Sequence, residues 1–156
     1  CQAGNIRTAL MCLDLAVEAN AFDRVIFATD TPTGTGVMPL GMIKTVVEMS
    51  CLSSFAPEMM VCAATGNNAK VYKLNTGFIK RGRDADVIIV DAPLGSSGKT
   101  ALDAIKHGDY PAIPAVFTDG IPRFIGRSRN TPPSTRQMKI KHNKVLNDFG
   151  PGRHTV

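Results

Sequence analysis

The sequence predicts an α/β fold class, with helix and strand alternating through the first half and a small β-rich region taking over near residue 75. Two observations predict it. The first is a run that is apolar on successive residues, Val25, Ile26, Phe27 and Ala28, set between two stretches whose apolar residues recur at spacings of three and four. Apolarity without alternation is what a parallel strand buried on both faces requires. The second is the change of texture at residue 75, where helical spacing gives way to glycine-punctuated turns and short apolar runs. Helix, strand, loop, helix is one and a half units of an α/β repeat.

The elements follow in order. "NIRTALMCLDLAVEAN", residues 5–20, sets Ile6, Leu10, Leu13 and Val17 on one helical face, with Asn20 as its stop. The strand at 24–28 runs into Asp30 and then into a loop of threonines and glycines. "PLGMIKTVVEMSCL", residues 39–52, repeats the helical spacing with Leu40, Ile43, Val46 and Val47. In "SSFAPEMMVCAATGNNAKVY", Pro57 suits the first position of a helix and Gly66 the residue just past its end. "LNTGFIKRGRDADVIIVDAP" reads as a turn-rich lead into a strand at 86–90, and "TALDAIKHGD" as a short helix ended by Gly108. "AIPAVFTDGIPRFIG" is a hairpin, with Asp119 and Gly120 in a two-residue type I′ turn. There is no internal repeat.

Composition narrows the function classes. A chain of 156 residues that is 44% hydrophobic and 20% charged suits one globular core and excludes disorder throughout. No apolar run approaches the roughly 20 residues that cross a bilayer, and the start has neither the charged nor the apolar region of a signal peptide. A cytoplasmic protein without a membrane partner is expected. The chain starts at Cys1 rather than Met, so this is not expected to be a native amino terminus. The four cysteines, Cys1, Cys12, Cys51 and Cys62, form no CxxC and no zinc-site spacing with histidine; Cys12, Cys51 and Cys62 fall in helical apolar segments and read as buried free thiols.

The net charge of +5 is unevenly held. Residues 121–156 carry eight Lys or Arg against the single acid Asp148, while residues 1–120 carry ten against twelve acids. This basic tail has prolines and glycines, little periodicity and few aromatics, which points to a solvated or partner-docked extension. Nucleic-acid binding would call for a basic face with stacking aromatics on a folded module.

Two segments invite a chemical reading. "DVIIVDAPLGSSGKTALDAI" has the layout of a phosphate-binding loop, but the glycine needed five positions before Gly98 is Pro93. Proline removes a donor and fixes φ, so an ordinary strand-to-helix loop is expected. Asp30 lies where a buried strand opens out, and the carboxyl ends of such strands are where ligands and catalytic groups collect. On position alone it is equally a turn former or a helix cap.

The order of features then decides for function. "GNNAKVYKLNTGFIKRGRDADVIIVDAP" resembles the carboxy-terminal signature of the amidohydrolase superfamily, with Gly77 and Gly82 in tight turns and Ala85 and Asp86 opening a strand. "VIFATDTP" is similar to that family's eighth barrel strand, with Asp30 at the position of its aspartate. "TDTPTGTGVMPLG" and "DGIPRFIGRSRNTPP" resemble the enamidase branch, which opens 6-oxo-1,4,5,6-tetrahydronicotinate and is related to dihydropyrimidinases, hydantoinases and dihydroorotases. The resemblance implies the C-terminal portion of a TIM (β/α)8 barrel over residues 1–75, part of the adjoining small β-sandwich domain over 76–129, and a basic tail over 130–156.

It also implies chemistry. Opening an unstrained amide needs a strong nucleophile at neutral pH and a proton for the leaving nitrogen. In the family the aspartate does two jobs, so Asp30 is expected both to ligate a divalent metal and to carry that proton. Thr33, Gly34, Thr35 and Gly36 could turn N–H and hydroxyl groups toward a substrate carboxylate, or could serve turn geometry alone. The family's other ligands are a His-x-His on the first strand, a Lys or Glu on the fourth and histidines on the fifth and sixth. Here there are only His107, His142 and His154, none in a His-x-His, and they read as surface residues. The expectation is therefore a fragment, inactive alone, of a cyclic amide hydrolase. Its binuclear site of zinc, or zinc with iron, would draw its remaining ligands from upstream, and its partners would be the rest of its own barrel and copies of itself in a tetramer. A deaminase of the same superfamily would share Asp30 and differ in its loops. A non-enzymatic module would use the basic tail to recruit an acidic partner.

Overall fold

The helical periodicity of residues 5–20 folds as α1, Ile6–Glu18, which turns Leu13 into the core and ends where Asn20 takes a left-handed φ of 54°. The structure, a computed structural model, describes residues 5–31 and 39–138. A single 3-10 turn, Phe22–Arg24, follows α1. The helices α2, Gly41–Leu52, and α3, Pro57–Ala64, come next, with Pro57 opening α3. The short α4, Gly66–Tyr72, ends at Lys73, whose φ is 55°. Gly66 therefore begins a helix; the residue between α3 and α4 is Thr65, whose hydroxyl donates back to the Val61 carbonyl.

The second half holds β1, Val87–Asp91, α5, Ala101–Lys106, β2, Ala112–Thr118, and β3, Ile121–Ile125. The three strands form one antiparallel sheet in the order β1-β2-β3. Pro114 has no N–H for a ladder although β2 is the central strand, and the register shifts between Ile89 and Asp91, opposite it. A bulge there absorbs the missing donor. The β2–β3 turn has positive φ at both Asp119 and Gly120, as a type I′ turn needs. Its tip is tied to the lead into β1: Gly120 N donates to the Ala85 carbonyl and Asp119 N to Asp86 Oδ1.

The core gathers Leu13, Phe27, Val46, Val47, Met49, Met60, Ala63 and Ile105. Ile105 belongs to α5, so the connection between β1 and β2 packs on the helices of the first half. Lys106 fastens this join. Its Nζ donates to the carbonyls of Ser50, Ser53 and Phe55 at 2.9, 2.8 and 2.8 Å, satisfying one acceptor in the last turn of α2 and two in the loop that follows it.

Two further expectations need correction. The strand at 24–28 is not in a sheet: residues 25–30 join no ladder among the described residues. A parallel strand takes its partners from distant stretches of chain, whereas the sheet present here closes through antiparallel neighbours. The thiols are free but not buried, Cys12 and Cys62 being exposed and Cys51 half-buried. Cys12 and Cys62 each precede a core residue, Leu13 and Ala63, and one step along a helix rotates a side chain by about 100° onto another face.

The start of the basic tail is docked. Thr135 N donates to the Ala92 carbonyl, Leu94 N to the Pro133 carbonyl, and Pro93 and Ser134 form a bridge. Arg136 then grips Asp91, its backbone N at 2.9 Å from Oδ2 and its Nε at 2.9 Å from Oδ1, with Nη2 also on Oδ1. These hydrogen bonds from Arg136 hold the Asp91 carboxyl below its usual range. Elsewhere large apolar side chains stay on the surface, among them Met11 and Leu15 of α1, Tyr72 of α4, and Ile79 with 95% of its area exposed.

Candidate active site

Asp30 stands at the end of a segment that the helices hold from beneath. Phe27, 7% exposed, anchors the segment in the core, and its N–H donates to the Ala63 carbonyl at the end of α3. Two adjacent asparagines in the first turn of α4 take up the segment's carbonyls. Asn67 Nδ2 donates to Phe22 O and Val25 O, both at 2.9 Å, and Asn68 Nδ2 donates to Phe27 O at 3.2 Å and to Ala63 O at 2.9 Å. Beyond this clamp the chain turns. Asp30 is exposed and has a φ of 55°, a left-handed conformation that aspartate tolerates better than most residues. The hydroxyls of Thr29 and Thr31, on either side of it, are hydrogen bonded to each other at 2.8 Å.

This geometry places an exposed carboxylate three residues beyond the buried Phe27, where it can accept and return a proton or donate an oxygen to a metal. Oxygen suits zinc, iron or manganese as a ligand, so Asp30 fits as one member of a metal shell. Among the described residues no cluster of three or more His, Cys, Asp or Glu joins it. Thr33, Gly34, Thr35 and Gly36 lie outside the described residues, as do His142 and His154. His107 is exposed at the end of α5, with Nδ1 2.7 Å from the Asp103 carbonyl oxygen.

The Gly-Lys-Thr of the second half has a structural task. Thr100 caps α5 in a reciprocal box with Asp103, and a Cβ at Gly98 would lie 2.4 Å from the backbone nitrogen of Ala104. Gly98 is therefore demanded by close packing on α5 rather than by a ligand. Gly77, with φ of 80°, is demanded twice over, since a Cβ there would also come within 2.7 Å of the Ala69 side chain on α4.

Asn67 and Asn68 are the residues that sequence reasoning passed over. A signal was present. Asparagine is a poor helix former because its side chain competes for backbone groups, so two in succession at the head of a helix mark amides that bond backbone groups, near or far in sequence.

The amidohydrolase family matches residues 2–130. Enamidase from Eubacterium barkeri is 45% identical over 139 residues, which make up 89% of this chain and 36% of that protein. The crystal structure of enamidase at 1.9 Å, a new member of the amidohydrolase superfamily, superposes with a TM-score of 0.80 and 44% identity, over 85% of this chain and 34% of that one. The chain thus spans about a third of the length of the relatives it matches.

Proposed function

The chain belongs to the amidohydrolase family, and from that premise we propose that it is the C-terminal part of a metal-dependent hydrolase that opens the C–N bond of a cyclic amide, with Asp30 as catalytic residue. The observation that carries the reading is Asp30 itself, a carboxylate in left-handed backbone at the exit of a segment clamped by Asn67 and Asn68 and anchored by the buried Phe27, in a chain similar to enamidase over most of its length. The unladdered segment and the exposed Met11, Leu15 and Ile79 support a place within a larger barrel whose other strands supply the missing neighbours.

Asp30 would hold the metal through a carboxylate oxygen, with the other ligands coming from upstream. When bound, the metal lowers the pKa of water from 15.7 toward about 7 and so supplies hydroxide at neutral pH. The remaining work falls to the chain. As the oxygen adds to the amide carbon, Asp30 takes its proton on a carboxylate oxygen; as the C–N bond breaks, Asp30 returns that proton to the leaving nitrogen. Thr33, Gly34, Thr35 and Gly36 bind a carboxylate on the substrate, which is a lactam of the 6-oxo-tetrahydronicotinate type. The same reading has the enzyme working in the cytoplasm as a homo-oligomer, with the isolated chain inactive.

The test is Asp30→Asn in the full-length enzyme, assayed on a carboxylate-bearing lactam. General-base catalysis contributes about 10² to 10⁴ in rate, so kcat is expected to fall at least about a hundredfold while circular dichroism is unchanged. Asn is as good a turn former or cap as Asp, so near-normal turnover in a folded variant would overturn the assignment.

A further inference from the structure

A catalytic carboxylate is only as well placed as the backbone beneath it, and in this chain a side chain does the placing. Residues 25–30 have no ladder among the described residues, yet three of the carbonyls from the 3-10 turn to Phe27 are engaged, all by α4. Asn67 is 5% exposed and spends both amide protons on Phe22 O and Val25 O, residues more than forty positions earlier in the chain. Among uncharged side chains, a primary amide can give two carbonyls a proton each from one nitrogen; a carboxylate has no proton to give, and a hydroxyl has one. Since the Phe27 side chain is fixed in the core, the segment is held at Val25 and again at Phe27, three residues before Asp30. The helix that carries Asn67 is itself seated by the close approach of Gly77 to Ala69. We propose that Asn67 is the positioning residue for Asp30, with Asn68 in support. This rests on the catalytic reading of Asp30 given above.

The experiment is a double-mutant cycle in the full-length enzyme. Asn67→Ala is expected to lower kcat about tenfold or more, because a displacement of about 1 Å can cost as much as a hundredfold, with KM nearly unchanged. Asn67→Ser keeps one donor and should fall between Ala and wild type. Asn67→Asp, which points a carboxylate at two carbonyl oxygens, should be worse than Ala. The decisive comparison is made in the Asp30→Asn background, where Asn67→Ala should cause no further loss of the residual turnover although it lowers Tm in both backgrounds. A folded Asn67→Ala enzyme with full kcat, or an equal loss with and without the Asp30 carboxylate, overturns the inference. If Asn67→Ala does not fold, Asn67→Ser and Asn68→Ala are judged by the same comparison. Full turnover by Asp30→Asn alone would instead remove the catalytic reading, and the inference with it. An inactive Asp30→Asn beside an unaffected Asn67→Ala removes the inference only.

Discussion

The β2–β3 hairpin and the segment before Asp30 are both short runs of strand-forming residues, and they meet opposite fates. The hairpin finds its partner two residues away, through a turn with φ of 54° and 72° at Asp119 and Gly120, and completes its ladder locally. The segment at 25–28 is apolar throughout but joins no sheet among the described residues, and the helices hold it by side-chain amides and one buried ring. Pairing that closes over two residues needs little besides a suitable turn, whereas a parallel neighbour must be brought from far along the chain. The proposed catalytic residue thus depends on helix-to-segment contacts, while the sheet depends on its own turn and ladder.

That contrast can be broken from the helical side. Met60 is fully buried in the core that seats Phe27, so Met60→Ala should cost about 2–5 kcal/mol. Hydrogen exchange should rise first over residues 22–30 and α1–α4; a loss confined to β1–β3 would contradict the proposed dependence. Lys106 ties the two regions together, and Lys106→Met leaves three carbonyls uncapped, for an expected loss of about 2 kcal/mol. Here melting by circular dichroism should lose cooperativity between helices and sheet. From the sheet side, Asp119→Val puts a β-branched residue into left-handed backbone at about 1–2 kcal/mol. Faster exchange should then appear in β2 and β3 while α1–α4 stay protected.

A gentler probe is pH. The Asp91 carboxyl is held below its usual value by Arg136, so this contribution is fully present above about pH 4, the unfolded-state value, and is lost as pH falls through the lower folded value. Limited proteolysis should open residues 131–136 in that acid range before the helical core melts, and Asp91→Asn should open them at neutral pH. The smallest effect is expected at the surface: Cys12 and Cys62 should react with a thiol reagent in the folded protein with little change in its circular dichroism spectrum.

Local signals in the sequence specify much of this molecule. Helical spacing marked α1 and α2, Pro57 the start of α3, Asp119-Gly120 the hairpin turn, and the apolar run at 86–90 a strand that lies one residue further along. Each of these is decided by residues within one or two turns of chain, so their neighbours in sequence are enough. Asp30 stands out in the same local way, by its place after an apolar run and by its motif. Tertiary structure decided the rest. Whether residues 25–28 form a strand depends on partners distant in sequence. Which thiols are buried depends on the rotation of each helix against the core. That α5 caps α2 through Lys106, and that Asn67 holds the path to Asp30, are contacts across 42 to 56 positions, and no local pattern encodes which distant carbonyl a side chain will reach.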